Sequence, residues 1–347
     1  MQAWLEELVS TESPSSSPEA TLEVGRVFSA LAADALGAPE RIEIEGLTHL
    51  RWTFGTPRVL VLGHLDTVWP LGTLARWPYR VDGDVATGPG VFDMKAGVAM
   101  ALHALSQLPS LDGVRLLLNV DEEIGSPTSR SLILDSVKGC RATLVCEPAS
   151  GLSVKTARKG IAMYEVSVAG RAAHAGLEPE KGINAAVGLA HAVLALSTLG
   201  DASVGTSVTP TVLSAGTTTN TVPAAASVAV DVRAAEPAEL DRVDAAVRSL
   251  SVPVGSVEVS GGINRPPLDA SSSAELFARA QRLLPGLQGI AVGGGSDGNF
   301  TAGAGVPTLD GLGAVGDGAH AEGEHVLLSH LEPRANLLTG LLTELLA

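Results

Sequence analysis

Arg58-Val59-Leu60-Val61-Leu62-Gly63-His64-Leu65-Asp66 opens as an apolar run bounded by Pro57 and Gly63, and it ends in a histidine and an aspartate. Consecutive Val and Leu without alternation read as a strand buried on both faces. Two more such runs follow. Val114-Arg115-Leu116-Leu117-Leu118-Asn119-Val120 runs into Asp121-Glu122-Glu123, and Ala142-Thr143-Leu144-Val145-Cys146 runs into Glu147. Between the first two, Lys95 to Leu108 has helical spacing and an Ala-rich composition. Strands alternating with helices predict an α/β fold with a mostly parallel central sheet covered on both faces. Ligands bind at strand ends in open sheets of this kind, and that is where these acids and this imidazole sit.

Outward from this centre, residues 2–9 read as a short helix, and a second amphipathic helix follows the Ser13–Pro18 loop to about Ala33. The pattern changes near Lys159. Tyr164 to Val168 alternates as a half-solvated strand should. A helix at about 182–199, strands at about 205–215 and 221–232, a helix from Pro237 to Leu250 and a strand at 254–260 complete a β-α-β-β-α-β order, the ferredoxin-like split motif. Helices at about 272–284 and 331–346 then resume the first pattern. The division expected is therefore 1–158 and 267–347 for one domain, with 159–266 inserted into it.

The chain has 347 residues, 45% of them hydrophobic but only 3% aromatic, so its core must be built from Ala, Val and Leu. A net charge of -15 argues against nucleic acid and anionic membranes as partners. Cys140 and Cys146 make no disulfide framework. The start of the chain lacks the basic-then-apolar pattern of a signal peptide, and no apolar stretch reaches the ~18 residues of a membrane span. The expectation is a cytoplasmic protein.

Five segments carry groups suited to metal: Gly63 to Val68, Gly90 to Lys95, Asp121 to Gly125, Cys146 to Pro148 and Gly318 to His320. His64 alone is compatible with a surface histidine, but Asp66 two residues on suits the carboxylate that orients a metal-bound imidazole. Asp93, after Gly88-Pro89-Gly90, could simply cap the helix that follows, but it is read as both near a helix start and a short carboxylate placed to bridge two ions. Three adjacent acids at a strand end repel one another unless cations offset them. Glu123 is assigned to metal, Glu122 to proton transfer, and Asp121 to structure. Glu147 and His320 gain their weight from the other segments. Glu322, Glu324 and His325 read as exposed. Two His, a shared Asp and two Glu suit a pair of zinc ions, with one Glu left to move a proton.

Together and in this order, Gly-His-Leu-Asp-Thr-Val and Asp-Glu-Glu-Ile-Gly resemble the dinuclear zinc peptidase family containing glutamate carboxypeptidase, acetylornithine deacetylase and succinyl-diaminopimelate desuccinylase. The likeness spans nearly the whole chain. It is strongest toward the glutamate-releasing carboxypeptidases at Gly170 to Gly176, Asn220 to Pro223, Asp231 to Arg233 and Gly293 to Asn299. Met94 after the bridging Asp is a variant shared with carboxypeptidase-like members. The resemblance implies that His64, Asp93 and Glu147 hold one zinc and Asp93, Glu123 and His320 the other, with cobalt or manganese as possible substitutes. It also places Glu122 as general base and Asp66 as the residue orienting His64. A homodimer through the inserted lid domain is implied, in which His174 reaches the partner's active site to stabilise the oxyanion. Arg265 is the candidate for the substrate α-carboxylate, with Asn220 assisting. Arg233 is a further candidate, although an Arg ending an Asp-Val-Arg strand also suits a structural ion pair, and the Gly293–Ser296 backbone N–H groups are another.

The implied reaction is hydrolysis of an amide in a small peptide or N-acyl amino acid by metal-bound hydroxide, releasing a C-terminal residue of glutamate type. One rival is deacylation of an N-acyl amino acid as in the deacetylase and desuccinylase members. Another is an inactive binding protein on the same fold, against which every expected ligand and the base are present.

Overall fold

The computed structural model covers residues 1–347. The chain forms two compact units. One comprises Met1–Arg158, Leu268–Val292 and Ser296–Ala347; the other comprises Lys159–Pro267 with Gly293–Gly295.

The larger unit is built on a six-stranded sheet in the order Glu40–Ile44, Leu47–Thr53, Val114–Asn119, Val59–His64, Ala142–Val145 and Thr308–Leu309. The last four strands run parallel to one another, and Leu47–Thr53 is antiparallel to the strands on both sides of it. Val59–His64 is buried at every position. Its side chains alternate between two cores, as strand geometry requires. Val59 and Val61 pack into the larger core with the Pro18–Leu36, Ala96–Ser106 and Leu331–Leu346 helices. Leu60 and Leu62 pack into the smaller one with Leu132, Ile133 and Phe300. Three-layer burial explains the unbroken Val/Leu run from which the strand was read. With few aromatics, the layers approach closely on small residues. A Cβ on Gly97, in the first turn of the Ala96–Ser106 helix, would stand 1.9 Å from the Cys146 carbonyl oxygen.

The antiparallel edge hairpin is a feature the sequence reading did not pick out. Glu45 and Gly46 turn it with φ of 50° and 83°, the two positive values a type I′ turn needs.

The smaller unit is a four-stranded antiparallel sheet, Ser207–Ala215, Ala225–Ala234, Gly160–Ala169 and Ser256–Arg265 in spatial order. Val228, Val230 and Val232 alternate inward against residues of the Ala185–Leu196 and Pro237–Arg248 helices. No helix in the chain is long and apolar enough to cross a membrane.

Candidate metal centre

Three neighbouring parallel strands deliver the three glutamates and the first imidazole. His64 closes the central strand in register with Asn119, the last residue of the Val114–Asn119 strand. Glu122 and Glu123 follow Asn119 in a tight turn, and Glu147 lies two residues beyond the strand ending at Val145. Asp93 comes from the turn of Val91–Lys95, where its φ of -112° and ψ of 98° are not helical. The helix starts at Ala96, so Asp93 is not its N-cap. His320 comes from a hairpin tip, in a left-handed conformation with φ of 62° that is uncommon for a side-chain-bearing residue.

These groups converge. His64 Nε2 stands 3.4 Å from Asp93 Oδ1 and 3.6 Å from Glu147 Oε1. His320 Nε2 stands 3.4 Å from Asp93 Oδ2 and 3.0 Å from Glu123 Oε2. Donors each ~2.0–2.1 Å from a tetrahedral zinc lie about 3.3 Å from one another, so these separations suit ligands around an ion. Asp93 offers one oxygen to each histidine. Single ligand atoms of His64, Glu122 and Glu147 all lie within 4.8 Å of one another, which puts Glu122 beside the same centre.

The groups behind them fix orientation. His64 Nδ1 bonds to the Asp66 carbonyl at 3.1 Å and lies 3.4 Å from its carboxylate. Asp66 also accepts from the Ser15 hydroxyl at 2.6 Å and from the backbone N–H of Glu122 and Glu123. Asp121 is occupied by the backbone N–H and hydroxyl groups of Thr128 and Ser129. The Met94 thioether accepts the His64 N–H. Arg158, 3% exposed, makes two bonds to Asp310 and reaches Glu147 Oε2 at 3.4 Å. No local motif marks Arg158 or Asp310, which lie far apart in sequence.

The electrostatics are those of a cluster with too many acids for its own cations. Burial disfavours charge on His64, but Asp66 and Asp93 reverse this and lift its pKa well above the ordinary value. Asp93 and Glu123 raise His320 to about 10. Burial, then Asp93, pushes Glu147 up to about 7. Burial also raises Glu123. His64 Nε2, Asp93 Oδ1 and Glu123 Oε1 are buried without hydrogen-bond partners. Buried polar atoms are normally paired, and unpaired atoms of metal-ligand type that face one another fit divalent cations.

Residues 60–344 match the family described as peptidase family M20/M25/M40. Carboxypeptidase G2 of Pseudomonas sp. (strain RS-16) is 35% identical over 315 residues, 84% of this chain and 74% of that protein. The chain belongs to the M20 peptidase family. It is a metal-dependent hydrolase. Succinyl-diaminopimelate desuccinylase of Caulobacter vibrioides is 29% identical over 211 residues, 55% of this chain and 54% of that enzyme. In fold, this M20 peptidase is similar to the M20 family metallo-carboxypeptidase Sso-CP2 of Sulfolobus solfataricus. There the TM-score is 0.79 at 15% identity, over 98% of each chain. Aminopeptidase PepT of Bacillus cereus gives 0.76 at 21% identity, over 100% of this chain and 98% of that one.

The smaller unit of this M20 peptidase holds most of the residues expected to touch substrate. His174 is exposed, and its Nδ1 accepts the N–H groups of Gly176 and Leu177, each at 3.1 Å. That assigns the remaining proton of a neutral ring to Nε2, leaving it as an outward donor. Asn220 lies beside it, its carbonyl accepting the Ala175 N–H at 2.8 Å. Arg265 is 5% exposed and pairs in register with Ile161, at the opposite end of the Gly160–Ala169 strand from the His174 loop. Roughly 25 Å of strand separates the two ends.

Arg233, a candidate for substrate, gives its guanidinium to Asp231 through three hydrogen bonds on its own strand, the ion pair that its Asp-Val-Arg context allows. Two expectations are corrected. Ser296 is fully buried, its N–H bonded to Asn299 and its hydroxyl to Asp310, so the N–H expected to face substrate is already engaged and the side chain braces Asp310. Glu324, read as exposed, is fully buried. Its charged neighbours in sequence disguised it, because its partners lie more than 200 residues away.

Proposed function

We propose that this protein is a dinuclear zinc carboxypeptidase that cleaves the amide bond of a small peptide or N-acyl amino acid and releases a C-terminal residue of glutamate type. The observation that carries the reading is Asp93, with one carboxylate oxygen toward His64 and the other toward His320. His64, Asp93 and Glu147 would hold one ion, and Asp93, Glu123 and His320 the second. Bound there, the ions supply Lewis acidity that lowers the pKa of water toward about 7 and polarises the scissile carbonyl.

The protein's own residues do the rest. Glu122 takes the proton from the attacking water and returns it to the leaving amine. Asp66 keeps His64 Nε2 directed at the centre. The outward Nε2–H of His174 is the donor for the developing oxyanion, and Arg265 takes the α-carboxylate; Asn220, which lies beside His174, would assist from the same side as His174. His174 and Arg265 lie at opposite ends of one sheet, too far apart to meet a single small substrate within one subunit. That separation supports a homodimer in which His174 serves the partner's centre.

The 35% identity to carboxypeptidase G2 favours this substrate class. The match to a desuccinylase supports the second reading, N-acyl amino acid deacylation. The test is turnover of zinc-loaded enzyme on N-acyl-glutamates and dipeptides against acetylornithine and succinyl-diaminopimelate. Hydrolysis of the first set is expected; turnover confined to the second overturns the carboxypeptidase reading.

A further inference from the structure

We infer that Glu324 is a positioning residue that sets the separation of Asp93 and His320, and through it the geometry of the metal pair. The inference rests on the metal centre proposed above. Glu324 Oε1 accepts the backbone N–H of Phe92 at 2.8 Å and of Asp93 at 2.9 Å. Oε2 accepts the N–H of Gly90 at 3.0 Å and the Trp69 indole N–H at 2.9 Å. A carboxylate has about four acceptor positions, and all four are used here, three of them on the segment that carries Asp93. That segment is not helical at Asp93, so its N–H groups have no regular ladder to join. Buried donors without acceptors are costly, and Glu324 supplies the acceptors.

The same short loop carries His320. Gly316–Asp317 pairs with His325–Leu327, which pairs in turn with Val85–Thr87, the strand that leads into the Asp93 segment. Gly318 lets the loop close on itself. Its φ is 82°, and a Cβ there would stand 3.1 Å from Glu324 Cα. One hairpin tip therefore presents His320 to Asp93 Oδ2 and, four residues on, grips the Asp93 backbone from behind. A buried carboxylate that only stabilised the hairpin would need no bond to the Asp93 segment; three of the four go there.

The test uses Co2+ as probe, read by its visible spectrum and by competition with a chelator. Glu324→Gln keeps the size but turns an NH2 toward N–H donors. Its affinity for Co2+ should fall about 10–100-fold, the range for groups that orient ligands, with a changed ligand-field spectrum and a circular dichroism spectrum like wild type. Glu324→Asp should recover part of the affinity. Wild-type affinity and spectrum in Glu324→Gln would overturn the inference. If Glu324→Gln yields no folded protein, Trp69→Phe decides, since it removes one donor and leaves the backbone intact. A weaker shift of the same sign supports the role, and an unchanged cobalt spectrum refutes it. Wild type and His320→Ala are the controls: failure of wild type to bind Co2+, or full binding by His320→Ala, sinks the metal centre itself. Normal controls with an unaffected Glu324→Gln sink only this role.

Discussion

The Asp66 carboxylate accepts the backbone N–H of Glu123 at 3.1 Å. It is therefore more than the orienting partner of His64. It splices the end of the central strand to the turn of the neighbouring one, so that a ligand and the candidate base are registered by one buried side chain. Asp66→Asn keeps the shape but meets those N–H groups with an amide that is partly donor. Metal affinity should drop about 10–100-fold, measured by chelator competition with metal analysis. Unchanged affinity would show that the splice is dispensable.

Glu122 tests the chemistry separately from the centre. Glu122→Gln should keep fold and metal content and lower kcat by about 10²–10⁴, the range for a general base. Near-normal turnover in fully loaded protein would remove Glu122 from that role.

His174 tests the assembly. His174→Ala should lose activity and keep its metal. Mixed with Glu122→Gln under conditions of subunit exchange, it should regain part of the activity, because one mixed site has both groups intact. Absence of rescue after exchange has been demonstrated by mass spectrometry would rule out action across subunits.

The two histidines predict a pH dependence. His320 rises to about 10 and His64 also lies above its ordinary 6.5 in the metal-free protein. A folded-state pKa above the unfolded one adds stability that is complete below the unfolded value and lost as pH climbs through the folded value. The Tm of metal-free protein should therefore decline from about pH 6.5 toward pH 10, and less steeply in His320→Ala. Metal must displace these protons, so uptake near neutral pH should release them. Calorimetry in buffers of different ionisation heat measures this. A flat Tm profile together with buffer-independent heats would contradict the account.

Among the candidate ligands, His64, Glu123 and Glu147 could be picked out because each closes or follows a run whose burial is written in its composition, whereas Asp93 and His320 lie in turns and drew their weight from the other segments. Val59 to Leu62 and Ala142 to Val145 can only be interior strands, and an acid or imidazole just beyond such a strand needs a reason to be there. Glu324 and Arg158 were not legible, because their meaning lies in partners brought by the fold from remote segments. Glu324 sits in Glu322-Gly323-Glu324-His325, which reads as any solvated turn. The edge hairpin did have a signal: Glu45-Gly46 between two alternating stretches. Arg233 is the opposite case, where the alternative of a structural ion pair was readable locally. Its Asp231 partner lies two residues away, on the same face of the same strand, where a local ion pair is the simplest outcome.

One junction has a practical corollary. Arg158 and Leu268 exchange backbone hydrogen bonds at 2.8 and 3.1 Å, so the chain departs from the larger unit and returns to it at one doorway. A designer could delete everything between these two residues and suture the cut ends with a tight glycine-bearing turn. Every proposed zinc ligand would remain in the trimmed polypeptide, which would then be a minimal scaffold onto which other recognition modules could be grafted.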